Sequence, residues 1–264
     1  TEPISVYCYN SRYKTSDGYL ALPISSWGTQ YVSSNYYLDH YTPGDSSDDY
    51  YQYLCDKAPR GGEFAVLASQ ETVVSVYPKT KTVGGMPAGV MFQRVLQKGD
   101  ILQVQDGGTV RGATDLTGSI IIADKPVGLL SGHVRAGIPT EFDTKDHLIE
   151  MIPARDMLST EHVLVPFSYR NGGDFVRMIA SEPGTTNVSI SVGGVELTTF
   201  ALTEMGGWKE YDMDQVSVIT SDKPILVTQY SKSSNADPAN ANRPPGTLLV
   251  HPFDPDMIVV TPTD

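Results

Sequence analysis

The sequence predicts an all-β chain built as two tandem antiparallel β-sandwich domains related by an internal repeat, and three observations carry that prediction. The run Ser119-Ile-Ile-Ile-Ala-Asp-Lys-Pro-Val-Gly-Leu-Leu130 returns 98 positions later, without a gap, as Ser217-Val-Ile-Thr-Ser-Asp-Lys-Pro-Ile-Leu-Val227. Valine, threonine, serine, tyrosine, glycine and proline are plentiful, and almost no window shows apolar residues recurring at i, i+3, i+4 and i+7. The apolar runs are roughly 5–8 residues long and bounded by turn residues, the lengths a sandwich uses.

Each copy of the repeated run reads as a strand, a tight turn at Asp-Lys-Pro and a strand leaving it, with proline held where its missing N–H costs no ladder bond. Both runs are apolar at nearly every position, which predicts strands covered on both faces and hence two cores. A length of 264 residues accommodates two ordinary domains. The boundary falls at 150/151, giving a first sandwich over 1–150 and a second, shorter one over 151–264.

In chain order, residues 4–9 and 19–22 read as strands around the polar turn Asn10 to Gly18, and Trp27-Gly-Thr-Gln-Tyr-Val32 follows. From Ser33 to Gly62 the pattern breaks into a long polar loop. It holds Tyr36, Tyr37, Tyr41, Tyr50, Tyr51 and Tyr53 among five aspartates. A loop of that length in a compact domain signals function or poor order. Strands resume at Glu63–Ser69 and Thr72–Val76, and Val90–Leu96 with Asp100–Gln105 flank Lys98-Gly99 as a hairpin. The second half repeats the order. Thr160–Val163 matches Thr29–Val32, Asp174–Ser181 matches Glu63–Ser69, and Thr186–Ile190 matches Thr72–Val76. Three runs end alike at proline, Tyr19 to Pro23, Leu148 to Pro153 and Asp256 to Pro262, so a repeat begins at the Pro-terminated strand.

The 19 basic and 31 acidic residues leave a net charge of −12 with no basic cluster, which argues against nucleic acid or an anionic membrane face as partner. No apolar run approaches the ~20 residues that span a bilayer. Beginning at Thr1, the sequence reads as a mature or excised fragment. The two cysteines, Cys8 and Cys55, lack zinc spacing and are expected to pair, pinning the tyrosine loop to the first strand. Asn187-Val-Ser is a candidate glycosylation sequon.

The segments Asp17-Gly-Tyr-Leu-Ala-Leu-Pro23, Trp27-Gly-Thr-Gln-Tyr-Val32, Leu116-Thr-Gly-Ser-Ile-Ile, Asp124-Lys-Pro-Val-Gly-Leu-Leu-Ser-Gly-His133 and Asp146-His-Leu-Ile-Glu150 resemble the IgGFc-binding protein N-terminal domain family, in the family's order, from about Ser5 to Pro262. The resemblance implies an extracellular, non-catalytic module of secreted mucus and adhesion proteins, needing no cofactor. It implies a protein or glycan partner, with immunoglobulin Fc among the candidates. The vertebrate members carry cysteines between the Gly-His and Asp-His-Leu motifs, whereas Val134 to Lys145 has none.

Among residues that carry chemistry, His133 and His147 flank one loop, with Ser131 and Asp146 close in sequence. A hydrolase needs a nucleophile, a base and an orienting group in contact, and neither a Gly-X-Ser-X-Gly elbow nor a His-Glu-X-X-His helix is present. The expected role is imidazole bonding to loop backbone. The cluster Asp45 to Asp49 lacks the spacing of a calcium loop and reads as a solvated acidic turn, so no metal is expected. Trp27 reads as packing, while Trp208 suits packing or ligand stacking equally. The six tyrosines are the binding candidates, with two readings left open: an exposed recognition surface, or the loop's own small core. The function expected is an interaction or adhesion module acting through loops of the first domain. A structural spacer in a long repeat protein is the alternative, and a hydrolase comes third.

Overall fold

The computed structural model describes residues 4–12, 15–39, 59–142, 144–168, 170–238 and 254–263. Its strands are β1 (Val6–Arg12), β2 (Thr15–Ala21), β3 (Gly28–Val32), β4 (Gly62–Ala68), β5 (Thr72–Tyr77), β6 (Phe92–Leu96), β7 (Ile101–Gln105), β8 (Ile120–Ala136) and β9 (Asp146–Ile152), then β10 (Ser159–Leu164), β11 (Asp174–Ala180), β12 (Thr186–Val192), β13 (Val195–Leu202), β14 (Trp208–Met213), β15 (Ser217–Ser231) and β16 (Asp256–Val259). The only helical elements among the described residues are three short 3₁₀ turns. The all-β, antiparallel expectation holds.

Two seven-stranded sheets share one plan. The first runs β6-β5-β8-β4-β7 with β3 and β9 also on β8, and the second runs β13-β12-β15-β11-β14 with β10 and β16 also on β15. The first draws its strands from residues 28–152 and the second from 159–259. β1 and β2 form a separate two-stranded sheet rather than joining the first.

The predicted turn at Asp-Lys-Pro is instead a bend inside one long strand. β8 pairs with β5 up to Ala123 and with β4 from Val127, so residues 124–126 lie where the neighbour changes, and the proline has no ladder bond to lose. On the other side β3 shifts register between Gly28↔Val127 and Gln30↔Ile122, the bulge that lets the strand turn. The motif has the same duties in both halves. Asp124 accepts from Val73 N and Thr72 Oγ1 at 2.7 Å, and Lys125 donates to Glu71 O at 2.6 Å. Asp222 accepts from Asn187 N at 2.8 Å, and Lys223 donates to Pro183 O at 2.8 Å. These bonds reach the starts of β5 and β12 on the side where the ladder to the long strand has not yet begun, which explains why this tripeptide recurs. Burial also departs from the expectation of two covered faces: before the bend β8 alternates, with Ile121 buried and Ile122 37% exposed, and only beyond it is it covered nearly throughout.

Lys98-Gly99 makes a tight turn, with Gly99 at φ 88°, but β6 and β7 do not pair. They sit at opposite ends of the sheet order and yet are four residues apart in sequence, so the sheet curls until its ends meet. β13 and β14 impose the same curl on the second sheet. The layers of each half are thus one sheet bent over its long strand, closed on a core of Val66, Val74, Val76, Val104, Ile121 and Leu129 in the first half and of Val176, Met178, Val188, Ile190, Ile219 and Val227 in the second.

The cores are not separate. Ile179 and Leu226 from the second sheet belong to the first core, and Trp208 and Val259 pack against it. A third cluster joins Tyr36, Ile138 and Leu148 of the first half to Tyr230 and Met257 of the second. Gly118 and Gly206, both at positive φ, bring their loops so close that a Cβ on Gly118 would stand 1.9 Å from Gly206 O.

Candidate functional site

The start of the predicted tyrosine loop is buried and wedged between the two sheets. Ser33, Ser34, Asn35, Tyr36, Leu38 and Asp39 are each at most 1% exposed. Ser34 Oγ lies 2.7 Å from Thr228 Oγ1 and 2.7 Å from Tyr230 OH, and Tyr230 OH donates to Asn35 O at 2.7 Å. Asn35 Nδ2 donates to Glu63 O and Gly132 O, which fastens the segment to the first sheet. This stretch is polar in sequence because its side chains satisfy two sheet faces at once, and that made it resemble a solvated loop.

Arg177 on β11 closes the junction. Its guanidinium is fully buried and donates to Asp115 Oδ2 at 2.7 Å, Asn35 O at 2.7 Å, Thr117 Oγ1 at 2.9 Å and Glu210 Oε2 at 2.9 Å. Its Cζ lies 4.3 Å from the Trp208 ring centroid and 4.5 and 4.9 Å from those of Tyr36 and Tyr37. Burial alone works against the charge, but Asp115 and Glu210 outweigh it and keep the group above its ordinary pKa. Tyr36, 1% exposed, belongs to the packing reading, and Tyr37 is half-buried beside Trp208 with ring centroids 5.8 Å apart. Neither is an open recognition surface. Tyr41, Tyr50, Tyr51, Tyr53, Cys55 and the cluster Asp45 to Asp49 lie outside the described residues, so the expected Cys8–Cys55 bridge does too. Trp208 stacks on protein, and Trp27 donates from Nε1 to Leu22 O at 3.2 Å.

His133 is 1% exposed with both ring nitrogens engaged by backbone: Nε2 lies 3.0 Å from Tyr37 O, and Nδ1 accepts from Arg135 N at 2.9 Å. Burial pushes its pKa down to about 4, so it is neutral and donates through Nε2. Ser131 Oγ is buried and bonded to neither histidine. His147 Nδ1 lies 2.8 Å from Thr15 Oγ1, which also donates to Asp146. These contacts tie the β1–β2 hairpin to β9, with the Thr15 hydroxyl giving its proton to a hydrogen bond with Asp146. Substituting His133 by alanine is expected to cost about 2–3 kcal/mol in a urea titration, since the Arg135 N–H loses its acceptor and a cavity opens. A cost under about 0.5 kcal/mol would remove this structural role. Asn187 is exposed on β12, its Nδ2 donating to Asp222 at 2.6 Å.

Beneath the hairpin, on the outer face of the first sheet, lies a cleft of about 620 Å³ that sequence reasoning missed. Glu63, Gln103, Gln105 and His147 give it polar walls over a floor of Ala65 and Leu130, and Asn10 and Ser11 of β1 overhang it. Gln103 Nε2 donates to Glu63 Oε2 at 2.6 Å, and burial raises the Glu63 pKa. Arg60 and Arg135 line the cleft as well, and amides beside charged groups of both signs over an apolar floor suit hydrogen bonding to a polar ligand or a peptide backbone. The one signal in the sequence was glutamine alternating with apolar residues on β7, a pattern any solvated strand shares.

Fold and cleft together define a double-sheet module with a polar recess on its first half. The chain belongs to the IgGFc binding protein family, whose model matches residues 17–264. It is 29% identical over 196 residues to the human (Homo sapiens) IgGFc-binding protein, a stretch covering 73% of this chain and 3% of that protein. No solved structure matches.

Proposed function

We propose that the chain is an extracellular, non-catalytic interaction module that takes a protein or glycan partner through its first half. The observation that carries this reading is the open cleft beneath the hairpin, on a sheet face whose counterpart in the second half is closed. Family membership supports an extracellular setting and a protein partner, since the human relative is named for binding IgG Fc. The remaining tyrosines of the 33–62 stretch stand as further contact candidates. Asn187 is exposed where a glycan can be attached.

A glycan array and an immobilised Fc fragment, each probed with the whole chain and with a Glu63→Ala/Gln103→Ala variant, test the reading. Saturable binding that the variant weakens at least tenfold is the expected result. Equal binding by both forms, or none to either surface, would count against the cleft as the contact. A structural spacer is the second reading, favoured by the Pro-terminated strands β2, β9 and β16, which lie side by side where the units meet.

A further inference from the structure

The open face of the first sheet and the covered face of the second are the same face, and their registers prove the correspondence residue by residue. Leu130 on β8 and Thr228 on β15 are 98 positions apart, as the repeat requires. Ala65 pairs with Leu130 and Gln103, and Arg177 pairs with Thr228 and Glu210. Ala65, Gln103, Leu130 and Gly132 line the cleft. Of their counterparts, Arg177, Thr228 and Tyr230 are covered by Ser34, Asn35, Tyr36 and Asp115 of the first half, and Glu210 pairs with Arg177 at 2.9 Å. What fills this position in the second sheet is therefore a segment of the neighbouring sheet unit.

The hairpin extends the parallel. Met151 pairs with Leu130 on β8, Val259 with Thr228 on β15, and Ala21, two residues before its proline as Met151 is, pairs with Val6 on β1. β1 thus stands to β2 as the distal half of each long strand stands to β9 or β16. β2 packs on β9, and β9 in turn packs on β16. In β8 the positions corresponding to residues 4–9 are 128–133, buried except for the half-buried Leu130, and in β15 they are 226–231, all buried. In β1 they are open except for the half-buried Cys8: Ile4 is 84% exposed, Val6 45%, Tyr7 79% and Tyr9 70%. The strand that covers the distal half of the long strand is β4 in one half and β11 in the other. Among the described residues no strand other than β2 pairs with β1, and an open apolar edge is a template for pairing.

We propose that the cleft and the free edge of β1 form a single docking surface for a further sheet unit of this same fold, for which β1 serves as the distal half of the long strand. One segment of that unit enters the cleft as Ser33 to Asp39 enters the second sheet, and its β4- or β11-type strand pairs with β1. The register follows, with Ile4, Val6 and Cys8 opposite the residues equivalent to Ile179, Arg177 and Phe175. The proposal rests on the reading of the first half as a binding surface and names the partner as protein of this chain's own kind.

The test uses the whole chain and a synthetic peptide copying Asp174–Ala180, with hydrogen exchange resolved along β1. At saturating peptide the β1 amides that point away from β2 should exchange at least tenfold more slowly, with no change under a scrambled peptide. A Tyr7→Lys/Tyr9→Lys variant should weaken the peptide at least tenfold and leave the thermal midpoint of the free chain unmoved. Unchanged exchange at millimolar peptide overturns the proposal, as does slow exchange in the free chain at those β1 amides that point away from β2, which would mean that the edge is already covered. Glycan or Fc binding that persists in either case leaves the broader reading standing, and its loss sinks that reading separately.

Discussion

Replacing Arg177 with methionine should destabilise the chain by about 3–5 kcal/mol, the range for removing one partner of a buried ion pair. At this size that is roughly 10 °C in thermal midpoint. Methionine fills much of the volume and can lie against Trp208 and Tyr36, so the loss reports the Asp115 side chain, which is 6% exposed and would be left with no cation beside it. The Lys79–Glu204 pair is a control of opposite kind. It also links the halves, at 2.6 Å, but its side chains are 37% and 65% exposed, so Lys79→Ala should cost no more than about 1 kcal/mol. Arg177→Lys keeps a charge but loses the planar fork and the stack on Trp208, and should recover only part of the deficit. Urea unfolding followed by circular dichroism and by tryptophan fluorescence makes the comparison. Equal small effects at Arg177 and Lys79 would show that the junction is held by apolar contact alone.

A second large effect lies in pH. Asp17 on β2, Glu150 on β9 and Asp256 on β16 converge where the three Pro-terminated strands meet. Burial, then the Asp256 charge, pushes Asp17 up to about 8, and burial carries Glu150 up to about 7. Asp256 is raised as well, by burial. Asp146 and His147 face the group from β9, and Asp254 precedes β16 with Arg135 and Arg170 nearby. A carboxyl group whose folded pKa is raised binds a proton in the native state where the unfolded chain has released it. Its stabilisation is therefore complete below about pH 4 and is lost as pH rises through 7 to 8. His133 works in the opposite sense, being depressed: its contribution is present above about pH 6.5 and is lost on falling towards 4. The interval from pH 6.5 to 8 therefore excludes His133 and leaves the carboxyl groups raised by burial, of which Asp17 and Glu150 are pushed furthest. The thermal midpoint should fall across it, by an amount equivalent to about 1–3 kcal/mol, and Asp17→Asn should remove most of the slope. A midpoint that rises over this interval would show that the folded chain does not hold protons on these groups.

Much of this was legible in sequence because strands announce themselves locally. The repeat located β3, β4, β5 and β8 and their partners β10, β11, β12 and β15, since each carries its own β-branched run. Pairing was not legible, because it is set by how the sheet closes. Lys98-Gly99 has the chemistry of a hairpin turn, and nothing nearby says that β6 and β7 will be drawn to opposite ends of one curled sheet. Asp-Lys-Pro read as a turn for the same reason: its backbone preference is local, whereas the change of neighbour that lets the strand run on is not. The junction was hardest to foresee. Arg177 sits in Asp-Phe-Val-Arg-Met-Ile, where an arginine on an otherwise apolar strand resembles an exposed position, and its partners Asn35, Asp115 and Glu210 are scattered along the chain. Ser33 to Asp39 looked like solvent-facing sequence because a segment that hydrogen-bonds to two sheets has the composition of one that hydrogen-bonds to water.

The bent strands β8 and β15 carry a consequence for how the molecule comes apart. Each is the central member of both layers of its sheet, so peeling one layer away strips backbone partners from the other. Opening should accordingly be all-or-none within a half, and a protease should find either a closed sheet or a fully released one, with no surviving single layer to accumulate as a trimmed intermediate.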